Sequence, residues 1–217
     1  MAEPITGTIQ AIAEASKEAI RFFDKLFGPM AKEVGEILGN EVSLIKLRHL
    51  LSVRDRYETL IRKRGLEGKT KNLPKALLPR FVDAVSLEGD EVIQEMWARL
   101  LANASDPGQN LDLNKLLISL LKELEPIDVK ILDYFSRQGW RQVREVEGIS
   151  SENIGSELGI DESILTTSLH NLARLQLIGS VRGATWGTID VGLGVGDPHS
   201  TFYMTSLGNQ LVEACRD

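Results

Sequence analysis

Along most of this chain apolar residues recur every three or four positions, the spacing that gathers them on one face of an α-helix. From Ile5 to Phe27 the series is Ile5, Ile9, Ile12, Ile20, Phe23 and Phe27, with the small Ser16 filling the gap between Ile12 and Ile20. An amphipathic helix is predicted there. Gly28-Pro29 stops it, because glycine favours the C-terminal cap and proline cannot continue the preceding turn. A second helical stretch covers Met30 to Leu38, with Gly39-Asn40 as a break. Glu41 to Arg64 follows as a longer helix whose apolar face is Leu47, Leu50, Val53, Tyr57, Leu60 and Ile61, ending at Gly65. Arg54 falls inside that face. An unpaired buried guanidinium is costly, so Arg54 should find a carboxylate or several carbonyls, and the acidic run Glu88 to Glu95 is the nearest candidate in pattern.

Leu66 to Leu73 reads as an exposed basic connection. Pro74 suits a first helical turn, and Lys75 to Val85 is a short helix. Asp90 to Ser105 carries the clearest stripe: Ile93, Met96, Trp97, Leu100, Leu101 and Ala104. Met96, Trp97, Leu100 and Leu101 are expected to pack as core against the helices of residues 5–27 and 41–64, not to line a ligand box. Asp106-Pro107-Gly108 is a turn, and Leu113 to Leu124 is another helix.

After Glu125-Pro126 the pattern changes. Asp128 to Phe135, Ser151 to Gly159 and Asp161 to Leu177 read as three helices. A strand-like Ile178 to Arg182, a Gly-rich excursion, a returning Thr201 to Thr205 and a last helix from Ser206 to Val212 complete the order. That order is a winged-helix pattern. The fold class expected is mainly α: an N-terminal multi-helix assembly over residues 1–124, then a winged-helix-like α+β domain over 125–217. In the Asp161 to Leu177 helix, Ile164, Leu165, Leu169, Leu172 and Leu175 are expected to point inward. Ser163, Thr166, Thr167, His170 and Arg174 occupy the opposite face, with Asn171 at its edge. Such residues suit contacts to base edges or phosphates.

Charge changes that picture. From Pro126 to Asp217 there are seven Lys/Arg and twelve Asp/Glu, a net of −5. Phosphate neutralisation supplies nearly all non-specific affinity for DNA, so this domain starts from a repulsive field. Packing or protein interaction is the preferred use, and duplex DNA reading is the alternative. Basic charge lies elsewhere: Lys46 to Arg80 holds eleven Lys/Arg and three Asp/Glu, a net of +8. Arg48, Arg56, Arg62 and Lys63 lie broadly opposite their helix's apolar stripe, and Lys69, Lys71 and Lys75 continue the field. It is either a solvated face or a site for an acidic partner: RNA, an anionic membrane surface or an acidic protein. Tyr57 alone interleaves it with an aromatic, which argues against a single-strand stacking platform. The candidate partner-binding residues are thus Thr167, His170, Arg174, Arg182, Arg48, Arg56, Arg62 and Lys63.

The whole chain, 217 residues with a net charge of −6, is not an electrostatic nucleic-acid binder. Its apolar content of 42% supports a packed core rather than disorder. A single cysteine, Cys215, excludes an internal disulfide framework and fits a reducing cytoplasm. No apolar run reaches spanning length, and the N-terminus lacks the features of a secretory signal. On the first helix the polar face, Glu14, Lys17, Glu18, Arg21, Asp24 and Lys25, is sign-balanced. That favours a partner helix or the core over a membrane surface. His49, His170, His199 and Cys215 are too scattered for a metal site. There is no nucleophile elbow and no phosphate-cradling loop. Gly192-Leu-Gly194-Val-Gly196 runs into Asp197-Pro198 and not into a helix, so it reads as a wing. Glu88, Asp90, Glu91 and Glu95 lie at a helix start, where negative charge is favourable. No catalytic, cofactor or metal residues are expected. A non-enzymatic protein with a protein partner is the reading, with an enzyme of unfamiliar site as a third class and homo-oligomerisation left open.

The string Ala84-Val-Ser-Leu-Glu-Gly-Asp-Glu-Val-Ile-Gln-Glu-Met-Trp97-Ala-Arg-Leu-Leu-Ala-Asn103-Ala-Ser-Asp-Pro107 resembles the central signature of the abortive-infection alpha family. Phe27-Gly-Pro29, the Gly35 to Asn40 segment and the basic helix after it are similar too. So are Leu124-Glu-Pro-Ile-Asp-Val-Lys-Ile-Leu132 and Tyr203-Met-Thr-Ser-Leu-Gly208. The resemblance implies a bacterial protein associated with defence against phage, acting as an adaptor, sensor or effector. It implies no established reaction and carries no catalytic residues. The wing from Arg182 to Ser200 is longer than the family leads one to expect.

Overall fold

The computed structural model describes residues 3–29, 31–38, 43–138, 148–181 and 201–217. Those residues form a mainly helical protein with ten α-helices and one small three-stranded antiparallel sheet. They group into two compact units, Met1–Lys122 with Ala214–Asp217, and Glu123–Glu213. No described helix is long and apolar enough to cross a membrane.

In the first unit the helices are α1 (Glu3–Phe27), α2 (Ala31–Leu38), α3 (Leu44–Lys63), α4 (Leu78–Ser86), α5 (Glu91–Ser105) and α6 (Lys115–Lys122), with a 3-10 turn at Lys75–Leu77 before α4. Their ends follow local chemistry. Gly28 and Gly65 adopt positive φ just past α1 and α3, a conformation that costs glycine little. Asp90 caps α5 by accepting from the Val92 and Ile93 amides, at 2.8 and 3.2 Å, which satisfies donors the helix cannot.

Helix α3 is the centre of this unit and packs on α1, α4 and α5. All six residues of its expected apolar face are buried. Trp97, Leu100 and Leu101 are fully buried and Met96 nearly so, as the stripe requires. The ring nearest Trp97 is Phe81 of α4, edge-on at 5.6 Å, and Phe81 also meets Phe23 and Phe27 of α1. A helix of nine residues thus links α1 to α5. Among the α1 side chains described, Ala19, Phe22, Phe23, Leu26 and Phe27 are buried; those of Ile5 and Ile9 lie outside the described residues. Ile12, Ser16 and Ile20 are only half-buried.

Two expectations are corrected here. Arg54 does take carboxylates, but they are Glu18 of α1 at 2.7 Å and its neighbour Asp55. These bonds outweigh its burial and raise its pKa. The acidic run of α5 is taken by Arg56 and Arg99. The Leu66 to Leu73 connection is exposed in part only. The Lys71 and Leu73 amides donate to the Ser105 and Leu26 carbonyls, and Leu73 is buried.

The second unit comprises α7 (Pro126–Arg137), β1 (Ile149–Ser150), α8 (Ser151–Leu158), α9 (Glu162–Arg174), β2 (Ile178–Val181), β3 (Thr201–Met204) and most of α10 (Ser206–Ala214). The strands run antiparallel in the order β1-β3-β2, with Phe202 opposite both Ile149 and Ser180. Helix α9 ends at Arg174, short of the expected Leu177, and Gln176 takes a positive φ in the turn to β2. Thr205 joins strand to helix: its hydroxyl donates to the Gln176 carbonyl and accepts from the Gly208 amide. A Cβ on Gly208 would collide with the Leu177 carbonyl, so only glycine permits α10 to approach this closely. The Gly-rich excursion and Arg182 lie outside the described residues.

Candidate interaction surface on α7 and α9

The surface begins with a buried carboxylate. Pro126 opens α7, Glu125 is its N-cap, and Asp128 stands at the third helical position. The Glu125 amide donates to Asp128 Oδ2 at 2.9 Å, a reciprocal cap that satisfies an orphan donor. Asp128 is only 1% exposed. From α9, Asn171 Nδ2 donates to the same oxygen at 2.7 Å, and the Ser168 hydroxyl donates to Oδ1. Asn171 Nδ2 also reaches the Glu123 carbonyl at 3.1 Å. The carboxylate therefore staples α9 to the start of α7. With both oxygens engaged, it is not poised as a general base.

That staple decides which side of α9 faces out. Leu165, Ser168, Leu169 and Leu172 are buried. Ile164, expected to point inward, is 52% exposed. Ser168 has taken a place in the inward stripe because Asp128 requires a donor there, and Ile164 is turned toward solvent. Asp161 caps the helix, and the hydroxyl and amide of Ser163 hold its carboxyl below the usual range.

The result is an open cavity of about 600 Å³. Ile127 and Ile164 give it apolar walls, Thr167, Asn171 and Arg174 one polar side, and Glu123 and Glu125 an acidic edge. Two candidate residues meet here. Thr167 donates its hydroxyl to the Ser163 carbonyl at 2.9 Å. Arg174 is held by Glu123 at 3.0 Å and by Asn171 Oδ1 at 2.8 Å. His170 is exposed on the same helix but outside the cavity wall.

The candidates on α3 do not join one another. Arg56 is bound to Glu95 at 3.2 Å and to Glu91 at 3.5 Å, and Arg62 lies 3.8 Å from Glu67. Arg48 and Lys63 are exposed, but fifteen helical residues separate them by about 22 Å along the axis. Much of the positive field counted in the sequence is thus spent within the unit, Arg54 included.

Several polar residues that matter escaped the sequence reading. Asn103 of α5, 7% exposed, donates to the Ala214 and Arg216 carbonyls at 2.9 and 2.8 Å and accepts from Arg64 at 2.7 Å. The signal was an asparagine inside the apolar run Leu100-Leu-Ala-Asn103-Ala. Asp128 and Ser168 carried the same kind of signal, polar residues at positions the helical period assigns to the core. Cys215 is buried, which pushes its thiol up to about 12 against a small opposing effect of Arg99, so it is not an activated nucleophile. Among the described residues no His, Cys, Asp and Glu group could hold a metal ion.

A family model described as abortive infection alpha matches residues 46–215, from the first turn of α3 to the end of α10. Residues 1–45 lie outside the match. No curated protein and no solved structure matches the chain.

Proposed function

This chain belongs to the abortive infection alpha family, and from that premise we propose that it is a non-enzymatic interaction protein acting in bacterial defence against phage. We read its second unit as a winged-helix-like module that uses the outer face of α9 to hold a protein rather than duplex DNA. The element order α7-β1-α8-α9-β2-β3 and the antiparallel sheet support that reading. One observation carries the choice of partner: Arg174, the cation expected to serve DNA phosphates, is tied to Glu123 beside the exposed Glu125. Releasing it would leave a carboxylate facing the phosphate. The sequence around it, with a net of −5 from Pro126 onward, adds to the repulsion.

The test has two arms. Bacteria expressing the full chain are challenged with a panel of phages, and fewer plaques than in cells carrying an empty vector are expected. The purified chain is titrated onto labelled random duplex DNA across a salt series. Binding should be no tighter than the roughly 10⁻⁴–10⁻⁶ M of non-specific association. Tight binding to a defined operator, with a steep salt slope lost in Arg174→Ala, would replace this reading with a transcriptional regulator.

A further inference from the structure

We propose that the cavity between α7 and α9 docks a peptide segment of a partner protein in which an aliphatic side chain is flanked by lysine or arginine. The inference rests on the interaction-protein reading above and names the chemistry of its partner.

Charge is the first ground. The cavity wall includes three carboxylates, Glu123, Glu125 and Asp128, and one cation, Arg174. Arg174 is committed to Glu123. Glu125 is exposed. The wall therefore carries a net of −2, from one cation against three carboxylates. Asp161 and Glu162, exposed at the start of α9, add to the same sign.

Hydrogen-bond polarity is the second ground. Most donors around the cavity are already directed inward: Ser168 and Asn171 to Asp128, Thr167 to the Ser163 carbonyl, and Arg174 Nη2 to Glu123 and Asn171. What remains for an incoming group is mostly acceptors, the open lone pairs of Glu125, Glu123 and Thr167, beside the Nε and Nη1 donors of Arg174. Lysine and arginine side chains are donors without acceptors. They complement this wall, whereas a phosphate or an acidic peptide would meet its net negative charge with only Arg174 to offset it.

The third ground is apolar. Ile164 is the large hydrophobic side chain of this unit that stays exposed among the described residues, and Ile127 stands half-buried in the same wall. A purely cationic ligand leaves Ile164 wet. A segment with a leucine or isoleucine between its cations covers it, and the desolvated aliphatic contact then forms the centre with charges at the rim.

The experiment uses the full chain and three short fluorescein-labelled peptides: alternating lysine and leucine, alternating lysine and serine, and alternating glutamate and leucine. Fluorescence anisotropy should show saturable binding of the lysine–leucine peptide. The other two should bind at least about tenfold more weakly, about 1.4 kcal/mol. Ile164→Asp and Glu125→Lys, each with an unchanged thermal melt, should each weaken the first peptide by about tenfold. Ile45→Asp, which alters an exposed isoleucine on α3, should leave the affinity unchanged. Equal binding of all three peptides, no binding of any, or indifference to both cavity variants would overturn the proposal. The phage challenge separates this from the broader reading. Plaque reduction by the parent chain without peptide binding sinks the docking surface alone, and peptide binding without plaque reduction sinks the defence role alone.

Discussion

Helices α5 and α9 are similar in length and both begin at an aspartate cap, yet they put their polar residues to opposite use. Helix α5 buries eleven of its fifteen residues, including Gln94, Asn103 and Ser105. Each of those three is satisfied inside its unit: Gln94 by Ser52 and the Glu88 carbonyl, Asn103 by Arg64 and two carbonyls, Ser105 by Tyr57. Helix α9 buries four of thirteen. Two of its polar side chains hold Asp128, and the rest stay at the surface. A buried polar group must be matched in place, so α5 tolerates little change. An exposed face bears only the cost of what it touches. Stability should therefore respond to α5 and binding to α9, and four substitutions can break or sharpen that contrast.

The largest effect is expected at Trp97. Its indole is fully buried against Phe81, and no partner replaces it if it is removed. Trp97→Ala should cost about 3–5 kcal/mol in urea unfolding. A loss below about 1 kcal/mol would mean that the α4–α5 contact is not core packing.

Asp128 tests the boundary between the two behaviours. It belongs to the α7–α9 surface but is buried and shared by three donors. Asp128→Ala strands the Ser168 hydroxyl, the Asn171 amide and the Glu125 amide, and should cost about 2–3 kcal/mol. Ser168→Ala removes one arm and should cost about 1 kcal/mol. If Asp128→Ala unfolds at the parent's urea midpoint, the staple is dispensable and α9 is oriented by its leucines alone.

The contrast also explains what could be read from the chain alone. Periodicity located α1, α3 and α5 because each presents a repeated apolar face to one large core, a property each segment carries by itself. Strand β1 is two residues long and exists through pairing with Thr201 and Phe202, some fifty residues away, and no local pattern announces that. The inward placement of Ile164 failed for a related reason. A helical wheel ranks positions by hydrophobicity, but the orientation of α9 answers to Asp128 on another helix. The charge count misled in the same way: Lys46 to Arg80 sums to +8, while its arginines pair with Glu18, Glu67, Glu91 and Glu95. Local pattern predicts an element; its outward face is set by partners distant in sequence.

The smallest stability effect is expected at Arg174, and its smallness carries information. The pair with Glu123 joins two side chains that are both more than half exposed, at 57% and 52%, and such pairs contribute little once solvent and side-chain entropy act. Arg174→Ala should shift the unfolding free energy by less than about 0.5 kcal/mol. It should leave retention on random duplex DNA unchanged, since the net of −5 from Pro126 onward leaves little phosphate affinity for one arginine to lose. It should also tighten the lysine–leucine peptide, because Glu123 is then free to accept from the incoming cation. Parallel urea melts, DNA anisotropy and peptide anisotropy read the three quantities on one preparation. Weaker peptide binding in Arg174→Ala would mean that the arginine itself contacts the ligand, and the acidic-edge account of this surface would be wrong.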